Sequence, residues 1–441
     1  MSANESQEKT GLGNYFVANY PPFSAWKLDY VPRALDVLSK PPIPGTPLGL
    51  YLHIPFCRKR CKFCYFRVYT DKNARDVENY LHALTREVEL YRAMPYIGGR
   101  ELQFVYFGGG TPSYLSAAQL TVLFERVQSL FPWHHAAEVT FECEPGTLQQ
   151  HKLETLRKYG VTRLSLGIEN FDDKILETNG RAHLSAEIYR AYGWARDLKF
   201  PQINIDLIAG MLGETWDNWR ECIRKTIELS PDSVTIYQME LPFNTVISKE
   251  LRVVGQHTVD PDEIADWPTK RAWVDYAFET MANEGYKISS AYTLVKESAD
   301  AKFVYRDSLW HGADMLGTGV ASFGHVGGVH VQNFDQWAEY VGAIDQGKLP
   351  LNRALPVAPE QRLRREMMLQ LKTGRLEVDY FRQKFNAEIL TTFGESFDRL
   401  QHNGMLVVQP GEINLTRTGM LQIDRLLPNF FEPEHRGTRY T

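Results

Sequence analysis

The chain has 441 residues, of which 43% are hydrophobic and 23% charged, and this composition is typical of a soluble globular protein. Its formal net charge of −5 gives no general attraction for polyanions, so we expect no nucleic-acid partner. There is no apolar run of about 18 residues, and residues 1–10 lack the basic start and apolar core of a signal peptide. We therefore expect a cytoplasmic protein without a membrane partner, and the length predicts one large domain with a smaller one.

The first 46 residues are rich in proline, which excludes long helices and predicts an extended arm with a short helix near residues 33–38. Strand-length apolar runs then alternate with stretches of helical periodicity. The predicted strands are residues 48–54, 102–107, 137–142, 163–168, 202–208 and 233–241. The predicted helices between them are residues 77–91, 117–130, 153–159, 186–198 and 216–229.

Strands that alternate with helices predict a parallel sheet with right-handed crossovers. We expect an α/β fold, a partial (β/α)6 TIM-like barrel with a short N-terminal arm and a smaller α-rich C-terminal domain, and an open doubly wound sheet is the alternative. The predicted division is an arm at 1–46, a barrel at 47–245, a barrel extension with a substrate or second-ligand region at 246–350, and a C-terminal domain at 351–441. The extension is expected to hold a helix at 270–284 and a strand near 287–292. The last part is expected to hold helices at 361–371, 378–385 and 418–426 and a hairpin around Gly411.

Three of the five cysteines, Cys57, Cys61 and Cys64, form a CxxxCxxC cluster directly after the first predicted strand. In a chain without a secretion signal, this spacing indicates metal ligands rather than disulfides. The intervening basic residues add positive charge that favours thiolates and offsets a negative cluster. Three ligands leave one coordination position open, whereas a structural zinc site needs a fourth, which His53 could supply.

A CxxxCxxC loop after the first strand resembles the radical S-adenosylmethionine (SAM) superfamily. The resemblance implies that the three cysteines bind three irons of a [4Fe–4S] cluster and that SAM chelates the fourth. It also implies reductive cleavage of SAM to a 5′-deoxyadenosyl radical that abstracts hydrogen from a substrate. One or two SAM molecules are expected, with an electron donor such as flavodoxin or ferredoxin.

Further motifs are similar to those of oxygen-independent coproporphyrinogen III oxidase-like members of that superfamily. Tyr51, six residues before Cys57, matches a tyrosine beside the sulfonium. The GGG turn with Gly109 and Gly110, followed by Thr111, lies where the family binds the methionyl amino group, and its glycines are expected to expose N–H donors to a ligand. Glu142, at the end of the third strand, could accept hydrogen bonds from a ribose or an amine.

The resemblance extends along the next strands. Glu169 stands where the family usually has glutamine, Arg181 matches an arginine that contacts the methionine carboxylate, and Asp206 matches a residue near the ribose. Met239, placed on the sixth strand, is expected to contact adenine through its backbone. Cofactor contacts are also implied for two aromatic residues, Phe63 in the cysteine loop and Phe323 in a glycine-rich segment.

One residue departs from coproporphyrinogen oxidases, which carry a fourth cysteine two residues after the third, where this chain has Phe66. The expected function is therefore a radical enzyme for a planar tetrapyrrole or heteroaromatic substrate, an oxidoreductase or a C-methyltransferase. The alternatives are coproporphyrinogen III dehydrogenase itself, a haem chaperone that retains the cluster, and a structural zinc protein. We expect a monomer, with catalytic residues unassigned. Candidate haem ligands are His311, His325 and His330, and candidate substrate-side groups are Tyr237, Gln238 and Glu240.

Overall fold

The structure is a computed structural model in which residues 9–13, 16–252 and 263–437 are described. Parts of the predicted arm, extension and C-terminal domain, namely residues 1–8, 14–15, 253–262 and 438–441, lie outside the described residues. The four-part division of the chain stays a prediction.

One large mixed sheet dominates the fold. Its central strands, in chain order, are β1 (Leu48–Ile54), β2 (Phe104–Gly109), β3 (Glu138–Cys143), β4 (Arg163–Glu169), β5 (Gln202–Ala209) and β6 (Ser233–Gln238). These six strands are parallel and lie side by side in the order in which they occur along the chain. Each right-handed crossover adds the next strand on the same side of the previous one, so all connecting helices lie on one face of the sheet. A parallel sheet built in this way curls into a partial barrel, whereas a doubly wound sheet has helices on both faces.

The helices of this barrel are α2 (Ala74–Arg92), α3 (Ala117–Leu130), α4 (Gln150–Lys158), α5 (Asp173–Thr178), α6 (Ser185–Asp197) and α7 (Trp216–Leu229), and they follow α1 (Val31–Leu38) of the arm. Their starts follow from the local sequence. Capping boxes at Asn73 and Ser116 begin α2 and α3, and Thr215 accepts a hydrogen bond from a backbone N–H of α7. The predicted bounds of α3 and α7 are confirmed.

The sheet continues at both edges with later strands. On one side lie β9 (Asp314–Thr318), β10 (Phe323–Val326), β11 (Val329–Asn333) and β12 (Leu351–Pro356), and on the other β7 (Tyr286–Ile288) and β8 (Thr293–Lys296). β9 is parallel to β1, while β10–β12 and β7–β8 form antiparallel pairs. The single strand predicted near 287–292 is wrong, because the chain turns between Ile288 and Thr293 to make a hairpin.

Four more helices accompany this extension: α8 (Val246–Arg252), α9 (Trp267–Ala282), α10 (Val304–Trp310) and α11 (Trp337–Asp345). The C-terminal part contains α12 (Pro359–Leu371), α13 (Val378–Phe385), α14 (Ile389–Thr392), α15 (Gly394–His402), α16 (Arg417–Met420) and α17 (Ile423–Leu426). Its small sheet is made of β13 (Arg375–Glu377), β14 (Leu406–Gln409) and β15 (Glu412–Leu415). The hairpin around Gly411 is confirmed, whereas the helix predicted at 418–426 is divided into α16 and α17.

Two large apolar clusters form the core. One fills the space between the barrel sheet and its helices, and the other lies among the C-terminal helices. Val17 and Tyr20 of the arm belong to the second cluster, so the arm packs along the protein instead of projecting from it. Within the described ranges, no helix is both long and apolar enough to cross a membrane.

Candidate active site

The cysteine loop is fixed at both ends beside the carboxyl end of β1. Cys57 N–H donates to Tyr69 O over 3.1 Å, and Tyr69 N–H donates to Pro55 O over 2.8 Å. Between these points, Cys64 N–H closes a turn onto Cys61 O at 3.2 Å. All three cysteines are partly exposed as residues, and the loop holds them at the mouth of the barrel.

Two of the sulfurs receive side-chain hydrogen bonds from residues that the sequence had singled out. Thr111 Oγ1 donates to Cys57 Sγ over 3.3 Å, and Arg181 Nη1 donates to Cys61 Sγ over 3.4 Å. Burial raises the pKa of Cys57 to about 12 and that of Cys64 to about 11. Arg60 of the basic loop lowers the pKa of Cys64, as expected, and Arg181 lowers both, but burial outweighs these charges. A bound metal would supply the charge that these thiolates need.

The spacing of the thiols suits a multi-iron cluster better than a single zinc ion. Four sulfur ligands of one zinc lie about 3.8 Å apart, given Zn–S bonds of about 2.3 Å. In the described part of the chain, only one group of three possible metal ligands has all its ligand atoms within 4.8 Å of one another, and that group is Glu432, Glu434 and His435 rather than the cysteines. The cysteines, with or without His53, are therefore spread more widely than ligands of one ion.

The N–H groups of the GGG turn are not free for a ligand as expected, whereas the place of the turn at the methionyl amino group stays a prediction. Gly109 N–H donates to Glu142 Oε2 at 3.1 Å, and Gly110 N–H donates to Ile54 O at 2.8 Å, so these donors are already used within the protein. Both positions need glycine because a Cβ on Gly109, whose φ is +116°, would lie 2.6 Å from the His53 ring, and one on Gly110 would lie 2.9 Å from Pro55 C. The turn thus brings β1 and β2 close together beside the cysteine loop.

Three mostly buried carboxylates line the mouth where β3, β4 and β5 end. Glu142 accepts from Tyr106 OH at 2.7 Å, and Asp206 accepts from Ser165 Oγ at 2.8 Å. Burial raises the pKa of Glu142 and of Glu169 to about 7 each, it raises that of Asp206 as well, and repulsion from Asp206 adds to both shifts. A ligand with positive charges would relieve this repulsion, and SAM carries a sulfonium and an ammonium.

Arg181 connects these carboxylates to the thiols. Its Nη2 lies 3.6 Å from Glu169 Oε1 and also donates to Gly167 O, while its buried Nε has no hydrogen-bond partner in the described structure. Glu169 adopts the left-handed region, with φ of +66°, at an irregularity in the β4–β5 pairing. Strained backbone of this kind is common at ligand sites.

Tyr51 lies on β1 with its ring stacked on Tyr106 at 5.8 Å, and its hydroxyl is 3.3 Å from His53 Nδ1. The structure thus gathers Tyr51, the GGG turn, Thr111, Glu142, Glu169, Arg181 and Asp206 around the cysteine loop. What each would bind stays a prediction.

Met239 lies one residue beyond the end of β6, which corrects its placement on that strand. Its N–H donates to Ala209 O at 2.8 Å, and its C=O accepts from Lys270 Nζ at 2.8 Å, which leaves a lone pair of the carbonyl for a ligand. Phe63 packs against the small apolar cluster that contains Met239. Lys270 gave no sequence signal, because it lies on α9, far along the chain from the motifs.

Phe323 is separate from this group. It lies on β10, two strands away from β1, where its ring packs on Phe23 at 4.4 Å and on Trp26 at 5.7 Å. Of the candidate haem ligands, His311 is exposed at the end of α10, where its Nδ1 lies 2.7 Å from Asp307 O. His325 and His330 are buried with their Nδ1 atoms 2.9 Å apart, and His330 Nε2 is 2.9 Å from Tyr20 O.

Comparisons with known proteins identify the families that this chain matches. A family model described as the radical SAM superfamily matches residues 51–226, and one described as the HemN C-terminal domain matches residues 357–421. The oxygen-independent coproporphyrinogen III oxidase of Synechocystis sp. is 25% identical over 444 residues, which cover 95% of this chain and 92% of that protein. The heme chaperone HemW of Bacillus subtilis is 26% identical over 373 residues, which cover 84% of this chain and 96% of that protein.

Among solved structures, coproporphyrinogen III oxidase (HemN) from Escherichia coli matches with a TM-score of 0.82 and 24% identity, over 94% of this chain and 96% of that chain. This match shows the fold from the arm to the C-terminal helices.

The chain belongs to the radical SAM superfamily, in its HemN-like branch. Its cofactors are accordingly a [4Fe–4S] cluster and SAM, and the residues at the mouth fit both.

Proposed function

We propose that this protein is a radical SAM enzyme that removes hydrogen from a planar tetrapyrrole. The observation that carries the proposal is the group of three partly exposed cysteines with Arg181, set beside three carboxylates at one barrel mouth. The match over nearly the whole length of proteins named coproporphyrinogen III oxidase supports the substrate class.

In this proposal each residue of the mouth has a defined task. Cys57, Cys61 and Cys64 hold three irons and leave the fourth open. Arg181 orients the methionine carboxylate, while Glu142 and Asp206 attract the positive charges of SAM and accept hydrogen bonds from it. When bound, the cluster and SAM supply a radical that removes one hydrogen atom from the substrate.

Aromatic side chains near the mouth suit a flat substrate. Tyr237, at the end of β6, is 42% exposed and stacks on Tyr292 at 6.3 Å. Phe66 is 47% exposed and packs on Tyr65 at 4.5 Å. Exposed rings beside buried carboxylates give a surface on which a planar molecule can stack next to the radical source.

A second candidate reaction is favoured by Phe66, which occupies the place of the fourth cysteine of coproporphyrinogen oxidases. In this second reaction, another SAM molecule supplies a methyl or methylene group to the tetrapyrrole. A haem chaperone has less support from the structure, because His325 and His330 are buried beneath the arm.

The test is anaerobic turnover of the iron-reconstituted protein with methyl-labelled SAM, dithionite and candidate tetrapyrroles, including coproporphyrinogen III and haem. We expect 5′-deoxyadenosine to form. Label in the tetrapyrrole would indicate group transfer, whereas an unlabelled, oxidised product would indicate dehydrogenation. Stable haem binding without 5′-deoxyadenosine would contradict the proposal, as would one zinc per chain without iron.

Two cysteine variants control this experiment. Cys57→Ala is expected to lose the absorbance near 400 nm and all 5′-deoxyadenosine formation. Cys222→Ala, which removes a thiol buried in α7 away from the mouth, is expected to keep both.

A further inference from the structure

The arginine segment, which we define as residues 179–183 after α5, lies against the cysteine loop. Lys62 N–H of the loop donates to Asn179 O at 3.0 Å. Gly180 follows with a φ of +75°, and a Cβ on it would lie 3.4 Å from Lys62 N. The two stretches of backbone are therefore in close contact just before Arg181, whose side chain reaches the thiols.

Glu144, which comes directly after β3, joins the same two stretches beyond Arg181. Its Oε2 accepts from Arg58 Nη2 of the cysteine loop at 3.2 Å, and the same nitrogen donates to Ala182 O of the arginine segment at 2.6 Å. The other oxygen, Oε1, lies 2.8 Å from His183 Nδ1. One carboxylate thus connects the loop, the segment and the end of β3.

The carboxylate of Glu144 is ionised and fixed in place. Glu144 is only 8% exposed, and burial by itself would raise its pKa. Contacts with His183 and the charges of Arg181 and Arg58 outweigh burial and lower the pKa of Glu144. Its backbone is held as well, since Glu144 N–H donates to Ser113 Oγ at 2.9 Å. The acceptor is therefore charged and rigid on the side of β3.

His183 extends this contact to β4. Because an ionised carboxylate can only accept, His183 Nδ1 is the donor to Glu144. On the other side of the buried ring, Nε2 is 3.3 Å from Ile168 O. Ile168 directly precedes Glu169, whose carboxylate lies 3.6 Å from Arg181 Nη2. His183 thus packs beside the backbone of both members of that ion pair.

We propose that Glu144 is a positioning residue that sets Arg181 against the cysteine loop. Glu144 touches none of the predicted ligand contacts itself and acts through Arg58 and His183, which carry its charge to the loop and to the arginine segment. For the task of Arg181 toward the methionine carboxylate, the inference rests on the proposed function. Without the carboxylate, Arg58 and the buried His183 lose their common acceptor, and the arginine segment is no longer held on the side of β3.

The first test needs no cofactor and measures amide hydrogen exchange of the full-length protein by mass spectrometry. Glu144→Leu keeps most of the side-chain volume but accepts no hydrogen bond. We expect exchange about tenfold faster in peptides that cover residues 57–64 and 179–183, because a local contact opens. Helix α12, in the separate C-terminal core, is the internal reference and should not change. Glu177→Gln, at an exposed glutamate of α5 close to the segment, should match wild type.

The second test measures the affinity of the iron-reconstituted protein for SAM by equilibrium dialysis. Glu144→Leu is expected to weaken binding about tenfold, because Arg181 is no longer held in the geometry that a charge-assisted hydrogen bond needs. Glu144→Gln keeps one acceptor oxygen without the charge, so its affinity should lie between those of wild type and Glu144→Leu. Glu177→Gln should again match wild type.

Three results would overturn the positioning role of Glu144. The first is equal exchange in Glu144→Leu and Glu177→Gln, and the second is exchange that rises in α12 as much as in the loop, since that means a general loss of stability. The third is faster local exchange with wild-type affinity for SAM. A wild type that binds no SAM, although exchange responds locally to Glu144→Leu, would instead refute the proposed function and leave the contact of the two stretches intact.

Discussion

At the scale of single residues, Glu142 is the side chain whose charge state matters most for a cationic ligand. Its pKa is raised to about 7 by burial, while hydrogen bonds from Tyr106 and Gly109 N–H hold the carboxylate in place. A protonated Glu142 offers SAM one acceptor fewer and no negative charge. The mouth is thus expected to bind SAM in a pH-dependent manner near neutrality.

We predict that the affinity of wild type for SAM increases about tenfold from pH 6 to pH 8. The affinity increases with pH because the ionised carboxylate, which attracts the cationic ligand, is populated above pH 7. A tenfold change in affinity corresponds to about 1.4 kcal/mol of binding free energy. Glu142→Gln should bind SAM more weakly at pH 8 and show a flatter profile by equilibrium dialysis. Glu154→Gln, on the exposed side of α4, is the control. An unchanged profile in Glu142→Gln would assign the titration to another group.

Lys270 is a positioning residue at the adenine side of the predicted SAM site. It is fully buried, donates to Met239 O at 2.8 Å and to Thr10 Oγ1 at 2.7 Å, and has its pKa lowered to about 7 by burial. These bonds fix the backbone at the end of β6 from outside the barrel.

We predict that Lys270→Met raises the KM for SAM three- to tenfold and leaves kcat nearly unchanged. The reason is that the variant loosens a backbone contact that ground state and transition state use equally. Lys287→Met, at an exposed lysine of β7, should match wild type. A fall in kcat at constant KM would show that Lys270 acts on the reacting groups instead.

For single residues, the sequence predicted which kinds of side chain belong to the candidate site better than it predicted the contacts that these side chains make. The motifs singled out Thr111 and Arg181 for SAM contacts, which stay a prediction, but they did not show that both side chains donate to cysteine sulfurs. They did not show that the N–H groups of the GGG turn are used internally, since that depends on how closely β1 and β2 approach. They also missed Lys270, whose partner Met239 is 31 residues away.

At the scale of elements, Glu87 joins α2 to the segment after β9. It is completely buried and accepts three hydrogen bonds of 2.7 Å, from Gly319 N–H, Tyr340 OH and Asn333 Nδ2. Gly319 lies against His53, since a Cβ there would be 2.9 Å from His53 O. The carboxylate therefore holds the β9–β10 segment beside the carboxyl end of β1.

We predict that Glu87→Ala lowers the free energy of unfolding by about 3 kcal/mol or more, because it leaves three buried donors without their acceptor. The change should appear as a lower urea midpoint in chemical denaturation. Glu89→Ala, two residues further on the exposed side of α2, should stay within about 0.5 kcal/mol of wild type. Equal midpoints for the two variants would refute this role of Glu87.

The barrel strands and helices were predictable because their periodicities are local. The starts of α3 and α7 carry cap residues, and β1 is a continuous apolar run, as strands buried on both faces are. The hairpin of β7 and β8 was missed because residues 287–292 were predicted as one strand, although Ser289 and Ser290 lie at the turn that divides it. The antiparallel extension β10–β12 was missed because its strands are short and its pairing is long-range.

At the scale of the whole molecule, three distant parts of the chain meet at one ion pair. Lys372, 1% exposed at the end of α12, lies 2.9 Å from Asp424 Oδ1 and donates to Val17 O of the arm at 2.8 Å. Asp424 also accepts from Val17 N–H at 3.0 Å and from Tyr292 OH beside the β7–β8 hairpin. The pair thus connects the arm, the barrel extension and the C-terminal helices. No sequence pattern predicts this junction, because Val17 of the arm and its partner Asp424 are 407 residues apart.

We predict that Asp424→Ala destabilises the protein by about 3–5 kcal/mol, because it leaves the Lys372 ammonium buried without its carboxylate. Asp398→Ala, at an exposed position of α15, should have little effect in the same urea titration. In the double variant with Lys372→Met, the buried charge is removed together with its partner, so the combined loss should be smaller than the sum of the two single losses. Strict additivity would mean that the two side chains contribute separately and that the contacts of the arm, not the ion pair, join the three parts.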